Sequence, residues 1–515
     1  MKQFTLFLVL LLPNFVLAQN IPLSRDLEIA YQLQLKEQLP LSTTAIQPWI
    51  LQVPDSIVKT NSSWLKRKIL REHLISVNED DIRLTLDPLV NFQGGIESVA
   101  NKTTYINTRG FILRGKIGEH VSFESTLQEN QASLPPYLDI FAHRYHIIPG
   151  SGRLHGYTGG KVFDYSMSTG YIDYTPNKHF NFQLGNGKNF IGEGYRSLFL
   201  SDESFAYPYL RITSTFWHIK YTNLYTQFQD LSKYQVDTNY FRKKFSTMHI
   251  LSWDVTKNFN FTFFESIVWS GKDSLARRGF EVSYLDPIIL YRPVEFGLGS
   301  PDNELMGFMG SYRLNRTTIY GQVMLDEFRL SDVLKGNGMW ANKQAFQIGI
   351  KSLEPFNING LFVQTEYNKA RPYTYSHFDI LSNWGNYNQP LAHPLGANFK
   401  EGLVHIRYQQ GRWIGDLTFI SALYGLDINN KNYGKDIFKS NDSYVQYYNN
   451  ITGQGLRTTL TYSNIECRYI LNRLTHLEAV LGILYRKEKN EQWTQRDQEI
   501  TLGLRTSIFN KYGAF

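Results

Sequence analysis

The sequence predicts an all-β fold: a transmembrane outer-membrane β-barrel of about 18 antiparallel strands preceded by a small N-terminal helical element. Three observations predict it. Apolar and polar residues alternate with a period of two along most of the chain; beyond residues 1–18 no stretch is long and apolar enough to span a membrane as a helix; and Tyr and Trp gather near the ends of the alternating segments.

Composition narrows the class. Aromatic residues make up 15% of the 515 residues and Pro only 18 positions, which is the opposite of a disordered or low-complexity chain. A single cysteine, Cys467, excludes an intramolecular disulfide and any Cys-based zinc or iron–sulfur cluster. The formal charge is +7 without a Lys/Arg cluster, so nucleic acid is not expected as a partner. Lumenal or rim Arg and Lys would instead suit anionic polysaccharide or lipopolysaccharide phosphate.

Residues 1–18 read as a signal peptide. Lys2 supplies the charged start, Phe4 to Leu12 the apolar run, and Val16-Leu17-Ala18 places small residues at the −3 and −1 positions before cleavage. A membrane anchor is the alternative, but Pro13 and Asn14 break the run, and Gln19 is not the cysteine a lipoprotein needs. Residues 19–81 read as an N-terminal helical periplasmic element: Leu27 to Leu39 and Trp64 to Leu74 have helical spacing, with Ser62 and Ser63 as caps and the periplasmic mouth as a docking place.

Residues 82–515 are expected to form the barrel. Phe180, Phe182 and Leu184 alternate with Asn181, Gln183 and Gly185; Phe346, Ile348 and Ile350 alternate with Gln347, Gly349 and Lys351. Turn signals such as Thr175-Pro176-Asn177, Asn315-Arg316 and Asn472-Arg473 separate the segments. A soluble sandwich would also alternate. It would not account for Tyr209, Trp217, Trp253, Trp269, Trp413 and Tyr424, which are expected to form interfacial girdles. The last strand, Ile500 to Phe509, and the aromatic Phe515 are like the signal used for barrel insertion.

The stretch richest in chemistry is Leu184 to Leu210, where Gly185, Gly187, Gly192 and Gly194 imply a tightly specified loop. Its spacing fits no phosphate-binding fingerprint. Lys188, Glu193, Arg196, Asp202 and Glu203 are nearly balanced in sign, which suits either an ion-pair network pinning a loop inside the barrel or a ligand site. Catalysis finds little support: His143 and His146 lack a metal-site context, and nothing places Ser201 and Asp202 beside His393. No enzyme activity, cofactor or metal is expected.

The string GKNFIGEGYRSLFLSD followed by Tyr207-Pro208-Tyr209 resembles the signature region of the Wzi-like capsule-assembly outer-membrane proteins. SPDNELMGFMGSYRLNRTTIYGQVML, residues 300–325, and NQPLAHPLGAN, residues 388–398, resemble two further segments of that family. The Lys-Asn-Phe-Ile-Gly form of the loop is most similar to RemB-type gliding-motility proteins. The resemblance implies an outer-membrane barrel associated with capsular or surface polysaccharide and, by that likeness, with gliding motility. The candidate loop-network or ligand residues are then Lys188, Glu193, Tyr195, Arg196, Asp202, Asp302, Asn303, Gln322 and His393. Loops 371–375, RPYTY, and 383–387, NWGNY, offer aromatic faces and planar amides to a sugar, or pack within the loops. The expected partners are the outer membrane, its lipopolysaccharide, surface polysaccharide, and motility or secretion proteins. A porin or transporter whose Gly-rich segment forms a lumenal constriction is the rival reading, and a scaffold subunit of a secretion or motility machine is a third.

Overall fold

A computed structural model describes residues 18–35, 39–52, 63–158, 162–231, 241–271, 278–287, 290–298, 302–327 and 329–515. Residues 1–17 of the expected signal peptide lie outside the described residues. The wall begins with β1 (Ile82–Glu97), β2 (Lys102–Ile117), β3 (Val121–Ser133), β4 (Val162–Tyr174), β5 (Phe180–Gly187) and β6 (Tyr207–Phe216). It continues with β7 (Ile219–Asp230), β8 (Arg242–Asp254), β9 (Phe259–Ser270), β10 (Asn303–Leu314), β11 (Thr317–Leu325) and β12 (Gln344–Leu353). It ends with β13 (Leu361–Ala370), β14 (Phe399–Gln410), β15 (Trp413–Leu426), β16 (Leu456–Asn472), β17 (Leu477–Lys489) and β18 (Thr494–Thr506).

These 18 strands pair antiparallel with their sequence neighbours, and β18 closes on β1 through Glu499↔Glu97 to Arg505↔Asn91. Closure leaves no unpaired edge, the condition for a sheet to lie in lipid. Connections at one end are short, as at Trp217-His218 and Gly411-Arg412, while most at the other are long. That asymmetry sets the short-turn end as periplasmic and the long-loop end as extracellular.

The alternation becomes two faces. On β5 and β12, Phe180, Phe182, Leu184, Phe346, Ile348 and Ile350 are exposed on the outside, and Asn181, Gln183, Gln347 and Lys351 are buried on the lumenal side. Not every aromatic follows the expected girdle. Trp217, Trp253 and Trp413 are exposed near the short turns, but Tyr209 and Tyr424 fall on lumenal positions of their strands and are buried, bonding Gln183 (2.9 Å) and Glu488. Strand parity, not residue type, decides the side.

Trp269 faces outward and is nonetheless buried, because residues 278–287 and 290–298 of the β9–β10 connection lie against the outer wall. Its indole donates to the Gly279 carbonyl (3.2 Å). Beneath this strap, Asn223, His249 and Glu265 lie in register across β7, β8 and β9. Tyr291 Oη sits 2.8 Å from His249 Nε2, and the Leu290 and Tyr291 amides donate to Glu265 at 2.8 and 2.6 Å. Glu265 is six residues from the periplasmic start of β9 at Phe259. At ~3.3 Å rise and ~40° tilt this is roughly 15 Å, near the middle of the apolar band, so the strap supplies partners that lipid cannot.

Three segments fill the lumen. The N-terminal segment carries α1 (Arg25–Leu35) and the single turn α2 (Leu41–Thr44), and lays Ile46-Gln47 beside Phe190-Ile191 as a two-residue ladder. Helix α3 (Trp64–Leu70) stays at the periplasmic end, where Asn472 Nδ2 donates to the Lys68 and Glu72 carbonyls. The Gly-rich connection from β5 to β6 is the second insert. The third is the C-terminal tail: β18 stops at Thr506, and residues 507–515 turn back inside, so Phe515 packs against Phe141, ring centroids 4.9 Å apart, instead of ending a strand. Ile508 is buried against the lumenal Leu89 and Ile112, which is why the apolar tail leaves the wall.

Candidate functional site

The Gly-rich loop is held by wall side chains that bond its main chain. Glu366 on β13 accepts the Arg196 amide (3.2 Å) and that of Tyr195; Gln347 on β12 donates to the Arg196 carbonyl (3.0 Å). Gln322 on β11 accepts the Leu198 amide (2.8 Å) and donates to the Ile191 carbonyl (3.1 Å). Loop 371–398 completes the clamp, with Tyr375 Oη donating to the Leu198 carbonyl (2.8 Å) and Trp384 Nε1 to that of Phe199 (2.7 Å). A Cβ on Gly194 would sit 2.5 Å from the Arg196 carbonyl and 2.7 Å from Glu366, so this turn admits only glycine without movement. Leu198, Phe199 and Leu200 pack with Met309, Met324 and Trp384 into one apolar cluster inside the barrel.

Tyr373, Tyr375 and Trp384 belong to the two loops that the sequence offers as sugar-binding faces. All three are buried, and their rings pack within the structure instead of lining its surface.

The loop's charges meet partners from distant parts of the chain. Arg196 pairs with Glu203 (2.5 Å) and with Glu401 on β14 (3.4 Å), while His393 Nε2 lies 2.8 Å from the same Glu401. Glu193 is held by Lys351 (2.6 Å) and by Thr44 of α2. Asp202 receives Arg25 (3.4 Å), Asn510 (2.7 Å) and Tyr512 (2.9 Å), so one carboxylate ties the N-terminal segment, the loop and the tail together. Burial alone would raise Asp202, but Arg25 and Lys188 beside it hold its carboxyl below the usual range. Lys188 donates to the Gly150 and Asp202 carbonyls (2.7 and 2.8 Å) and lies 3.8 Å over the Tyr512 ring; burial pushes its amine down to about 8. The Arg25 guanidinium stacks 4.2 Å over Tyr195.

Lys188, Glu193, Tyr195, Arg196, Asp202, Gln322 and His393 thus share one lumenal assembly. Asn303 faces inward nearby and donates to the Ser382 carbonyl (2.8 Å). Asp302 does not join them: it anchors the outer strap through Arg278 (2.6 and 2.8 Å) and Tyr284 (2.6 Å). Ser201 Oγ bonds main-chain carbonyls at Leu391 and Ala392, and His393 is committed to Glu401.

Sequence reasoning missed the groups that lock the N-terminal segment. Asp26 of α1 lies between Arg407 of β14 and Arg468 of β16, with Arg468 Nη2 at 3.0 Å. An acidic residue in the first turn of a short helix carries no signal of partners about 400 positions away. Two flanking positions, Arg25 and Glu28, also face the lumen's charges, Glu28 lying 3.9 Å from Lys351; burial raises its carboxyl to about 7.

Beside this assembly the lumen keeps a cavity of about 420 Å³. The N-terminal segment at Asn20 to Asp26, the lumenal faces of β1 to β5 and of β14 to β18, and the tail at Phe509 to Ala514 line it.

No family model matches the chain, and no curated protein matches it in sequence. Among solved structures it is similar to Wzi of Escherichia coli, an outer membrane protein involved in group 1 capsule assembly and described as a carbohydrate-binding β-barrel. The identity is 12% and the TM-score 0.48, over 82% of this chain and 83% of that one. It is also similar to OprD of Pseudomonas aeruginosa (12% identity, TM-score 0.41, 81% of this chain and 92% of that one) and to OccK7 of the same species (9%, 0.43, 83% and 98%). At these identities the likeness is one of fold alone. The chain's own closed wall, apolar outside and polar inside, makes it an outer-membrane β-barrel.

Proposed function

We propose that the protein is a non-enzymatic outer-membrane barrel that holds surface polysaccharide in support of capsule or surface-layer assembly. The observation that carries this reading is the filled lumen: N-terminal segment, Gly-rich loop and C-terminal tail converge on Asp202, and Asp26 locks the first of them to two wall arginines. A freely conducting pore needs a continuous polar path, whereas buried, mutually neutralised charges around a rigid loop favour holding over passage. The resemblance of the Gly-rich stretch and of residues 300–325 and 388–398 to segments of the capsule-assembly proteins supports the same reading.

Two measurements on the detergent-solubilised barrel test it. Retention of native surface polysaccharide, with no steady conductance in planar bilayers, is the expected pair of results. Conductance without retention would establish the porin reading instead.

A further inference from the structure

The outward face of β13 to β18 carries a charge pattern that the fold does not use. Lys369 (β13), Lys400 (β14), Arg457 (β16), Lys487 and Lys489 (β17) and Arg496 (β18) occupy outward positions toward the extracellular ends of their strands, and all are exposed or half-buried. Among the described residues none of them makes an ion pair or a side-chain hydrogen bond, and no carboxylate shares the outward face of these strands. Two pairs stand directly opposite each other, Lys369↔Lys400 and Lys487↔Arg496. Like charges so placed destabilise a sheet, so the wall itself gains nothing from them. Elsewhere the outward face mixes signs: Arg109 of β2 lies opposite Glu129 of β3, and Glu304 of β10 meets Arg292 of the strap (3.3 Å).

Depth and spacing identify the partner. Lys487 is ten residues from Leu477, the periplasmic start of β17, which at ~3.3 Å rise and ~40° tilt is roughly 25 Å, the height of the apolar band. The cations therefore stand where the headgroups of the outer leaflet begin. Below them the same strands expose Ile465, Leu481, Ile483, Ile500 and Leu502, a wall for acyl chains. Lys400 and Lys489 share one row through Leu423 and Thr459, three strand spacings or roughly 14 Å apart, and Ser421, Thr459 and Thr461 put hydroxyls between the two basic groups. A headgroup with one phosphate covers one group and leaves the other unpaired, whereas a headgroup with two separated phosphates covers both. A soluble polyanion would use the cations but not the apolar wall beneath them.

We propose that this face docks an outer-leaflet lipid with two separated phosphates, a bisphosphorylated glycolipid of the lipid A class. Native mass spectrometry of the full-length barrel in detergent, titrated with diphosphoryl lipid A, monophosphoryl lipid A and phosphatidylethanolamine, tests it. Diphosphoryl lipid A should bind about fivefold or more tightly than monophosphoryl lipid A, and phosphatidylethanolamine should bind least. Each basic side chain beside an anionic headgroup adds about fivefold in affinity, so Lys369→Gln/Lys400→Gln and Lys487→Gln/Arg496→Gln should each weaken diphosphoryl lipid A roughly 25-fold. Both double variants remove a like-charge opposition and should keep heat-modifiable gel mobility, with a thermal midpoint unchanged or higher. Arg109→Gln/Lys243→Gln, which removes two outward cations outside the patch, should bind like the parent. Equal binding of the three lipids, a loss of the same size in the Arg109/Lys243 variant, or patch variants that bind like the parent would overturn the proposal. Displacement of bound lipid A by inorganic phosphate or trigalacturonate would also overturn it, in favour of a soluble anion. Retention of native polysaccharide should be the same in parent and patch variants; a loss confined to the variants would assign the cations to the polysaccharide instead.

Discussion

Replacing Arg196 by Ala tests whether the lumenal ion pairs hold the loop. Arg196 is 2% exposed and pairs with Glu203 (7%) and Glu401 (1%); it also donates to the Ala514 carbonyl of the tail. After truncation the two carboxylates fare differently. Glu401 keeps His393 at 2.8 Å and Asn368 at 3.0 Å, whereas the nearest remaining cation to Glu203 is Arg25 at 3.9 Å. Glu203 is therefore the orphan. Breaking a buried pair costs about 3–5 kcal/mol, against under about 1 kcal/mol for an exposed one, so the burial places this change at the upper figure. The assay is urea unfolding of the detergent-solubilised barrel, followed by heat-modifiable gel mobility and tryptophan fluorescence. The double variant Arg196→Ala/Glu203→Gln should recover about 1 kcal/mol or more, because the uncompensated charge is gone. A single variant within about 0.5 kcal/mol of the parent, or a double variant less stable than the sum of the singles, would refute the reasoning.

Three further outcomes are expected. Asp26→Lys places a third cation beside Arg407 and Arg468, so the N-terminal segment should leave the lumen; limited proteolysis should then cut within residues 19–52, and bilayer conductance should appear where the parent has none. Glu28, raised to about 7 by burial, favours folding while protonated: its contribution is full below the unfolded carboxyl range near pH 4.5 and is lost as pH rises through about 7. Protease resistance of α1 should accordingly fall between pH 5 and pH 8, and a flat profile in the parent, or an equal fall in Glu28→Gln, would count against it. Deleting residues 508–515 should leave heat-modifiable, folded barrel, because the β18–β1 pairing ends at Arg505, yet lower its thermal midpoint through loss of Ile508 and Tyr512; complete loss of folded protein would return the tail to the role of an assembly signal.

By itself the sequence determined the class of wall. A period of two is a property of neighbours along one strand, so Phe346, Ile348 and Ile350 declare their face without knowing which strands flank them, and counting such segments arrives at about 18 because each strand carries its own pattern. The Gly-rich stretch was legible as a specified loop for the same local reason. What only the tertiary structure decided is where inserted segments go and whom their charges meet. Asp26 and Arg468 are 442 positions apart, and Arg196 reaches Ala514 across 318. No local periodicity encodes such pairs, because they follow from three segments competing for one enclosed volume. That competition placed Phe515 inside instead of on a strand and buried Tyr375 and Trp384 against the loop, while Asp302, at the extracellular start of β10, is taken by Arg278 and Tyr284 of the outer strap, which lie 24 and 18 positions before it in sequence.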